Sequence, residues 1–323
     1  MILVNNLCKM FGEHCAVDDL SFEIMPGDVV GFLGPNGAGK STTMKMLTGF
    51  LSASSGSIEI NGLSYTGPSS DVIATKQDIG YLPEGAPAYS DMTVYQFLYF
   101  IAQVRKIPSS KRKQAISKVS EQVELTQVLN KRIENLSKGF KRRVGIAQAI
   151  IHDPKILILD EPTDGLDPNQ KHQVRQLIKN LASDKIVIVS THILEEVSAV
   201  CNRVIIIAEG KKCFDDTPEA LKACSKLHNA VTLKLSYLSD ISGLLELEGV
   251  ADMKHDRVTN RVTVYAEPGK TILSQVTSHI QLQQMPVEMV FPEEVKLDDV
   301  FREITAGAST TNTIVKNSSG VAA

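Results

Sequence analysis

The sequence predicts an α/β fold, with an antiparallel β layer, a parallel β core interrupted by a helical insert, and a small α+β domain at the C-terminal end. Three patterns carry that prediction. Ile156–Leu159 and Ile186–Val189 are short, wholly apolar, β-branched runs, as expected of strands buried on both faces of a parallel sheet, with the helix-compatible stretch Gln170–Leu181 between them. Val29–Leu33 is an apolar run too short for a helix, and it leads directly into a glycine-rich loop and then Thr42–Leu47. Past about residue 220 the character of the chain changes to short alternating strands and amphipathic helices.

Taken in order, Ile2–Val4, Leu20–Ile24 and Ser57–Ile60 read as half-buried strands divided by turn residues such as Pro26-Gly27-Asp28. From Thr93 to about Asn130 the pattern is helical: Val94, Phe97, Leu98, Ile101 and Val104 recur at spacings of three and four. Val204–Ala208, Glu209-Gly210-Lys211 and Lys212–Phe214 read as a closing hairpin, and the first domain ends near residue 220, with a helical subdomain over about 85–150. Then come Val231–Leu235 (strand), Ile241–Leu247 (helix), Val250–Lys254 and Val262–Tyr265 (strands), Thr271–Ile280 (helix) and Val287–Phe291 (strand). That order matches a ferredoxin-like unit, and a helix over Lys296–Ile304 completes an accessory domain at 226–306. Residues 307–323 are Ser, Thr, Asn and small residues with no period, the composition of a disordered tail.

The chain has 323 residues, 43% of them hydrophobic and 22% charged, enough for two domains of a soluble protein. Lys plus Arg number 34 against 37 for Asp plus Glu, a net charge of -3, and nothing in that balance suggests a nucleic-acid partner. The longest apolar run, Phe97–Ala102, is far short of the roughly 20 residues a membrane-spanning helix needs. The N-terminus carries no basic region followed by a long apolar stretch, so the expected location is cytoplasmic. Five cysteines without a C-x-x-C pair suit reduced thiols.

Gly34-Pro35-Asn36-Gly37-Ala38-Gly39-Lys40-Ser41 fits G-x-x-x-x-G-K-[ST] in full, between a predicted strand and a predicted helix. Its glycines let the backbone wrap phosphates, the helix N-terminus adds unpaired N–H groups, and Lys40 adds charge near the β- and γ-phosphates. Ser41 is placed to ligate Mg²⁺. Ile156–Leu159 ends in Asp160 and Glu161, acids at the carboxyl end of a buried strand and so beside the ligand crevice. Asp160 suits the Mg²⁺ shell and Glu161 the polarisation of the attacking water, since phosphoryl transfer depends on positioning and charge stabilisation. These pieces describe a nucleoside triphosphatase.

Three further segments narrow the choice. Leu136-Ser137-Lys138-Gly139-Phe140 opens a helix ahead of the strand acids, Gly165-Leu166-Asp167 follows them, and Ser190-Thr191-His192 ends the next buried strand. With the phosphate loop, this set resembles the nucleotide-binding domain of ATP-binding cassette (ABC) proteins, a P-loop NTPase fold, over about residues 2–220. The resemblance implies that Ser137 and Gly139 contact the γ-phosphate of ATP held by the other subunit. It further implies that Asp167 belongs to the D-loop, that His192 senses the γ-phosphate, and that Phe11 stacks on adenine. Asn36, Gly37, Gly39, Lys40, Ser41 and Thr42 would wrap the phosphates, with Ser41, Asp160 and Glu84 on the Mg²⁺ side. The sequence departs from the common L-S-G-G-Q signature at Lys138 and Phe140, which implies an altered rate or coupling. It also carries Glu84 where the family often has Gln.

The L-P-E setting of Glu84, the single cassette and the segment Leu297–Phe301 resemble the branch that drives ABC-2-type exporters, with closest likeness to gliding-motility-associated ATP-binding subunits. That implies a head-to-tail homodimer with two ATP molecules, integral-membrane permease subunits as partners, no nucleic acid, and a peripheral place on the inner face of the cell membrane. Two alternatives stay open: a soluble cassette ATPase in a non-transport process, and a catalytically weak regulatory subunit.

Overall fold

Alternation of buried and exposed residues builds the first layer. In the computed structural model, which describes residues 1–64, 75–182, 185–237 and 239–306, strands β1 (Ile2–Phe11) and β2 (His14–Ile24) pair antiparallel with Ile2 opposite Ile24 and Val4 opposite Phe22. With β4 (Ser55–Ile60) and β5 (Leu63–Ser64) they form a sheet of order β2-β1-β4-β5. Ile2, Val4, Leu7, Leu20, Phe22 and Ile58 turn to one buried face.

The second sheet takes β3 (Val29–Leu33), β6 (Ile79–Leu82), β7 (Ile156–Asp160), β8 (Ile186–Ser190), β9 (Arg203–Ala208) and β10 (Lys211–Asp216) in the order β10-β9-β3-β8-β7-β6. All its pairings are parallel except the closing β9–β10 hairpin. The period of two explains why the central runs are apolar throughout. Ile156, Ile158, Ile186 and Ile188 pack with the antiparallel layer. Leu157, Leu159, Val187 and Val189 pack on the opposite face with the helices.

Those helices are α2 (Val94–Val104), α3 (Ser109–Gln122), α4 (Lys138–Ile150), α5 (Pro168–Leu181) and α6 (Leu194–Val200), whereas α1 (Lys40–Leu47) packs Met44, Met46 and Leu47 on the face of the antiparallel layer. The helical insert begins at a full capping box: Thr93 Oγ1 accepts from Gln96 N at 3.2 Å and Gln96 Oε1 accepts from Thr93 N at 2.9 Å. From that start Val94, Phe97, Leu98 and Ala102 line the buried face of α2.

Among the described residues, 217–304 form a second compact unit, with those of 1–216 and 305–306 in the first. The second holds α7 (Pro218–Ala223) and a four-stranded antiparallel sheet of order β12-β13-β11-β14, from β11 (Val231–Leu235), β12 (Val250–Asp256), β13 (Arg261–Ala266) and β14 (Val287–Pro292). Leu233, Val262 and Val264 form its core with Val276 of α8 (Leu273–Leu282). A final helix runs over residues 297–306. One expectation is corrected: Ile241–Leu247 is not a helix but holds a single 3-10 turn, Ser242–Leu244. Gly243 weakens helix propensity there, and a Cβ on it would lie 2.8 Å from the His279 ring, so this turn serves close packing on α8. The expected tail, 307–323, lies outside the described residues.

Candidate active site

The phosphate loop runs from the end of β3 into α1. Gly39, the N-cap of α1, has φ of 101° and offers no side-chain cap, so the first turn presents its N–H groups and positive dipole end unblocked by a side chain. A Cβ at Gly39 would lie 2.4 Å from the carbonyl oxygen of Ala16, so β2 presses on the loop from behind. Lys40 is 8% exposed, and its Nζ donates to the carbonyls of Gly34 at 2.8 Å and Pro35 at 3.1 Å. Burial lowers the Lys40 pKa, against the pull of Glu161, Asp160 and Glu84, which favour the charged form. A cavity of about 410 Å³ opens over this loop, walled by Phe11, His14, Ala16, Asn36, Gly37, Gly39, Lys40, Ser41, Thr42, Glu84 and Glu161.

The acids arrive on the neighbouring strands. Asp160 and Ser190, the last residues of β7 and β8, are cross-strand partners, and the Ser190 hydroxyl donates to the Asp160 carboxylate. Glu161 then leaves the strand with φ of 50°. Its backbone N–H donates to Ser190 O at 3.1 Å, and both its carboxylate oxygens lie 3.0 Å from His192 Nδ1. Burial raises the Glu161 pKa, while the hydrogen bond from His192 and the charge of Lys40 oppose the shift. The pairing with an ionised carboxylate assigns the ring proton to Nδ1.

Phe11 ends β1 and is 49% exposed, and Lys9 Nζ lies 5.3 Å from its ring centroid. A half-exposed aromatic face on the cavity wall suits stacking on a planar base. Glu84 follows β6 and faces the same cavity. Beside it burial, with the negative charges of Asp160 and Glu84, pushes the Tyr81 hydroxyl pKa up to about 12.

Ser137, Gly139 and Asp167 do not line this cavity. Ser137 is the N-cap of α4, its Oγ accepting from Phe140 N at 3.4 Å, and Asp167 caps α5 by accepting from Gln170 N at 2.9 Å. Gln170 in turn covers Gly139: a Cβ there would lie 2.5 Å from the Gln170 Oε1. The structure therefore divides the predicted site residues into two groups, one around the phosphate loop and one at the N-termini of α4 and α5. Sequence reasoning missed Ser190 as the link between Asp160 and Glu161, although it lies inside the Ser190-Thr191-His192 segment already singled out.

Sequence comparison decides the family. The ABC transporter family profile matches residues 17–164. The linearmycin resistance ATP-binding protein LnrL of Bacillus subtilis is 31% identical over 313 residues, covering 90% of this chain and 97% of that one. The chain belongs to the ABC transporter ATP-binding proteins. Among other relatives of this cassette, the bacitracin transport ATP-binding protein BcrA of Bacillus licheniformis is 39% identical over 213 residues, 65% of this chain and 68% of that one. A dimeric ATP-binding cassette solved in a post-hydrolysis state with ADP and Pi superposes with a TM-score of 0.62 over 67% of this chain and 98% of its own, at 24% identity, a likeness of fold. The cassette is an ATPase, and its fold is that of the P-loop NTPases.

The donor chemistry fits Mg²⁺. Ser41 and Glu84 on the cavity wall, and Asp160 at the neighbouring strand end, offer oxygen alone, which is the preference of a hard cation. Among the described residues no group of three His, Cys, Asp or Glu side chains could hold a metal by itself, and Mg²⁺ in phosphate sites takes most of its shell from water and substrate. Among them, too, no helix is long and apolar enough to cross a membrane.

Proposed function

We propose that this cassette is the ATP-hydrolysing subunit of an exporter, acting as a head-to-tail homodimer on a separate ABC-2-type membrane permease at the inner face of the cell membrane. The observation that carries the reading is the division of the site. The phosphate loop, Glu84 and Glu161 wall one cavity, while Ser137 and Gly139 stand at a helix N-terminus outside it. A second copy, turned head to tail, brings its α4 N-terminus to the γ-phosphate that the first copy lacks means to cap, so two ATP molecules sit between subunits. A nucleotide can drive closure only through contacts that exist in the closed state, and the contacts from Ser137 and Gly139 are of that kind.

Within one subunit Phe11 stacks on the base, and the loop N–H groups with Lys40 and Thr42 hold the phosphates. Glu161 accepts a proton from the attacking water, and His192 fixes the Glu161 carboxylate and senses the γ-phosphate. Ser41 and Asp160, with Glu84 beside them, would hold Mg²⁺, whose charge would neutralise the phosphate oxygens. The roles of LnrL in linearmycin resistance and of BcrA in bacitracin transport support export as the direction. Glu84, the single cassette and the segment Leu297–Phe301 favour the ABC-2-type exporter branch, within which the resemblance is to the gliding-motility-associated subunits.

The test is to crosslink the Glu161→Gln protein in its native membrane with ATP and Mg²⁺ and identify what copurifies. Recovery of a polytopic membrane protein is the expected result. Recovery of ribosomes or DNA-bound factors instead keeps the ATPase and overturns the transporter.

A further inference from the structure

Besides Asp160, the buried carboxylate among the described residues is Glu196, 4% exposed on α6, and no step above uses it. Its Oε2 accepts two hydroxyls, from Thr163 at 2.6 Å and from Thr191 at 3.1 Å. Thr163 is two residues past Glu161, and Thr191 immediately precedes His192. Thr191 Oγ1 also accepts from Ile193 N at 3.1 Å, so its proton is committed to Glu196. The other oxygen, Oε1, has no hydrogen bond but faces Lys171 Nζ at 3.6 Å and Arg175 Nη2 at 3.7 Å, both on α5. That is the helix that Asp167 caps and that lays Gln170 over Gly139.

We propose that Glu196 is a positioning residue that clamps Thr163 and Thr191 to one oxygen, thereby holds Glu161 and His192 at hydrogen-bond distance, and ties that pair by charge to α5. The proposal rests on the roles given above to Glu161 and His192. A buried carboxylate is a costly way to fill a core, because desolvation offsets much of what its ion pairs contribute, and an apolar side chain of similar volume would serve stability as well or better. The geometry explains the choice. An acceptor-only group is what two converging hydroxyls require, and only a charged one also attracts Lys171 and Arg175. A glutamine could still accept from the two threonines but would turn an amide N–H₂ toward two cations.

The full chain carrying Glu196→Gln, Thr191→Val or Thr163→Val tests this, with four readouts: kcat and KM for ATP, nucleotide binding, thermal midpoint, and the ¹⁵N ring resonances of His192 in the nucleotide-free protein. Glu196→Gln and Thr191→Val are expected to lower kcat about tenfold or more while KM and ATP binding stay within about twofold. The His192 resonances should lose the pattern of a protonated, hydrogen-bonded Nδ1. If Glu196→Gln fails to fold, the two near-isosteric threonine variants decide. Wild-type kcat with an unchanged His192 spectrum in folded variants overturns the proposal, as does a loss of kcat matched by an equal loss of ATP binding. Glu161→Gln run alongside separates the two levels. If it abolishes turnover while the Glu196 and threonine variants remain wild type, only the clamp falls. If it keeps turnover, the role of Glu161 fails first and the clamp with it.

Discussion

His192 Nδ1 lies 3.0 Å from each carboxylate oxygen of Glu161, so a residue two past the end of β8 and the residue just past the end of β7 meet within one chain. The acid is 16% exposed and the imidazole 55%, so the pair spans the boundary between the protein interior and solvent. A carboxylate fixed in that way needs little reorganisation when a water molecule arrives, which is what a positioned base contributes.

Glu161→Gln should therefore lower ATP turnover by about a hundredfold or more, within the range expected for a lost general base. Phosphate-loop contacts are untouched, so nucleotide affinity should stay near wild type. Phosphate-release assays and equilibrium nucleotide binding check both halves, and retained turnover would remove Glu161 from its role.

Gly39→Ala forces a non-glycine residue to φ of 101° and drives its Cβ to within 2.4 Å of Ala16 O. Backbone strain of this kind costs about 1–3 kcal/mol, and relief requires the loop to move off β2. The expected result is a lower thermal midpoint and loss of the stabilisation that ATP gives the wild type. A variant that still gains stability on adding ATP would show that the loop tolerates the displacement.

His152 makes stability depend on acid. Burial, followed by the charge of Arg105, lowers its pKa from 6.5 to about 4, although its Nε2 lies 3.2 Å from Ile79 O and gains a hydrogen bond there. Between those two values the unfolded chain binds a proton that the native chain does not, so this contribution is complete above the unfolded pKa and declines as pH falls toward the folded one. At about 1.4 kcal/mol per unit, roughly 2 kcal/mol should be lost between pH 7 and pH 4.5. Urea unfolding of wild type and His152→Gln at both pH values gives the difference, and parallel pH slopes would refute it.

Thr93→Ala removes the side chain that caps α2. A loss of about 1 kcal/mol of stability is expected, the usual worth of an N-cap. ATP affinity should not change, because Thr93 does not wall the nucleotide cavity. A fall in affinity as large as the fall in stability would link the helical insert to the site.

Much of the core was legible because its strands are buried on both faces. Val29–Leu33, Ile156–Leu159 and Ile186–Val189 have no polar position to disguise them, and the observed strands differ only by the terminal Asp160 and Ser190. The phosphate loop was legible because few other backbones need that spacing of glycines before a lysine. Short elements were not. In β6, Gly80 and Tyr81 break the apolar run, and α6 is only seven residues with adjacent Glu195 and Glu196 that read as a solvated pair. Nothing local separates those two acids, yet Glu195 is exposed and Glu196 buried, because only the latter faces the threonines of two other segments.

The cross-strand pairing of Asp160 with Ser190 has a consequence for how errors in this protein can arise. A slip of β8 by one residue against β7 would bring Val189 or Thr191 beside Asp160. The same slip would exchange the two faces on which Ile186 and Ile188, and Val187 and Val189, now pack. Chemistry and core are thus set by a single alignment, and folding proofreads the catalytic geometry: a chain that misplaces its acid also forfeits the packing that would let it persist as a folded, idle enzyme.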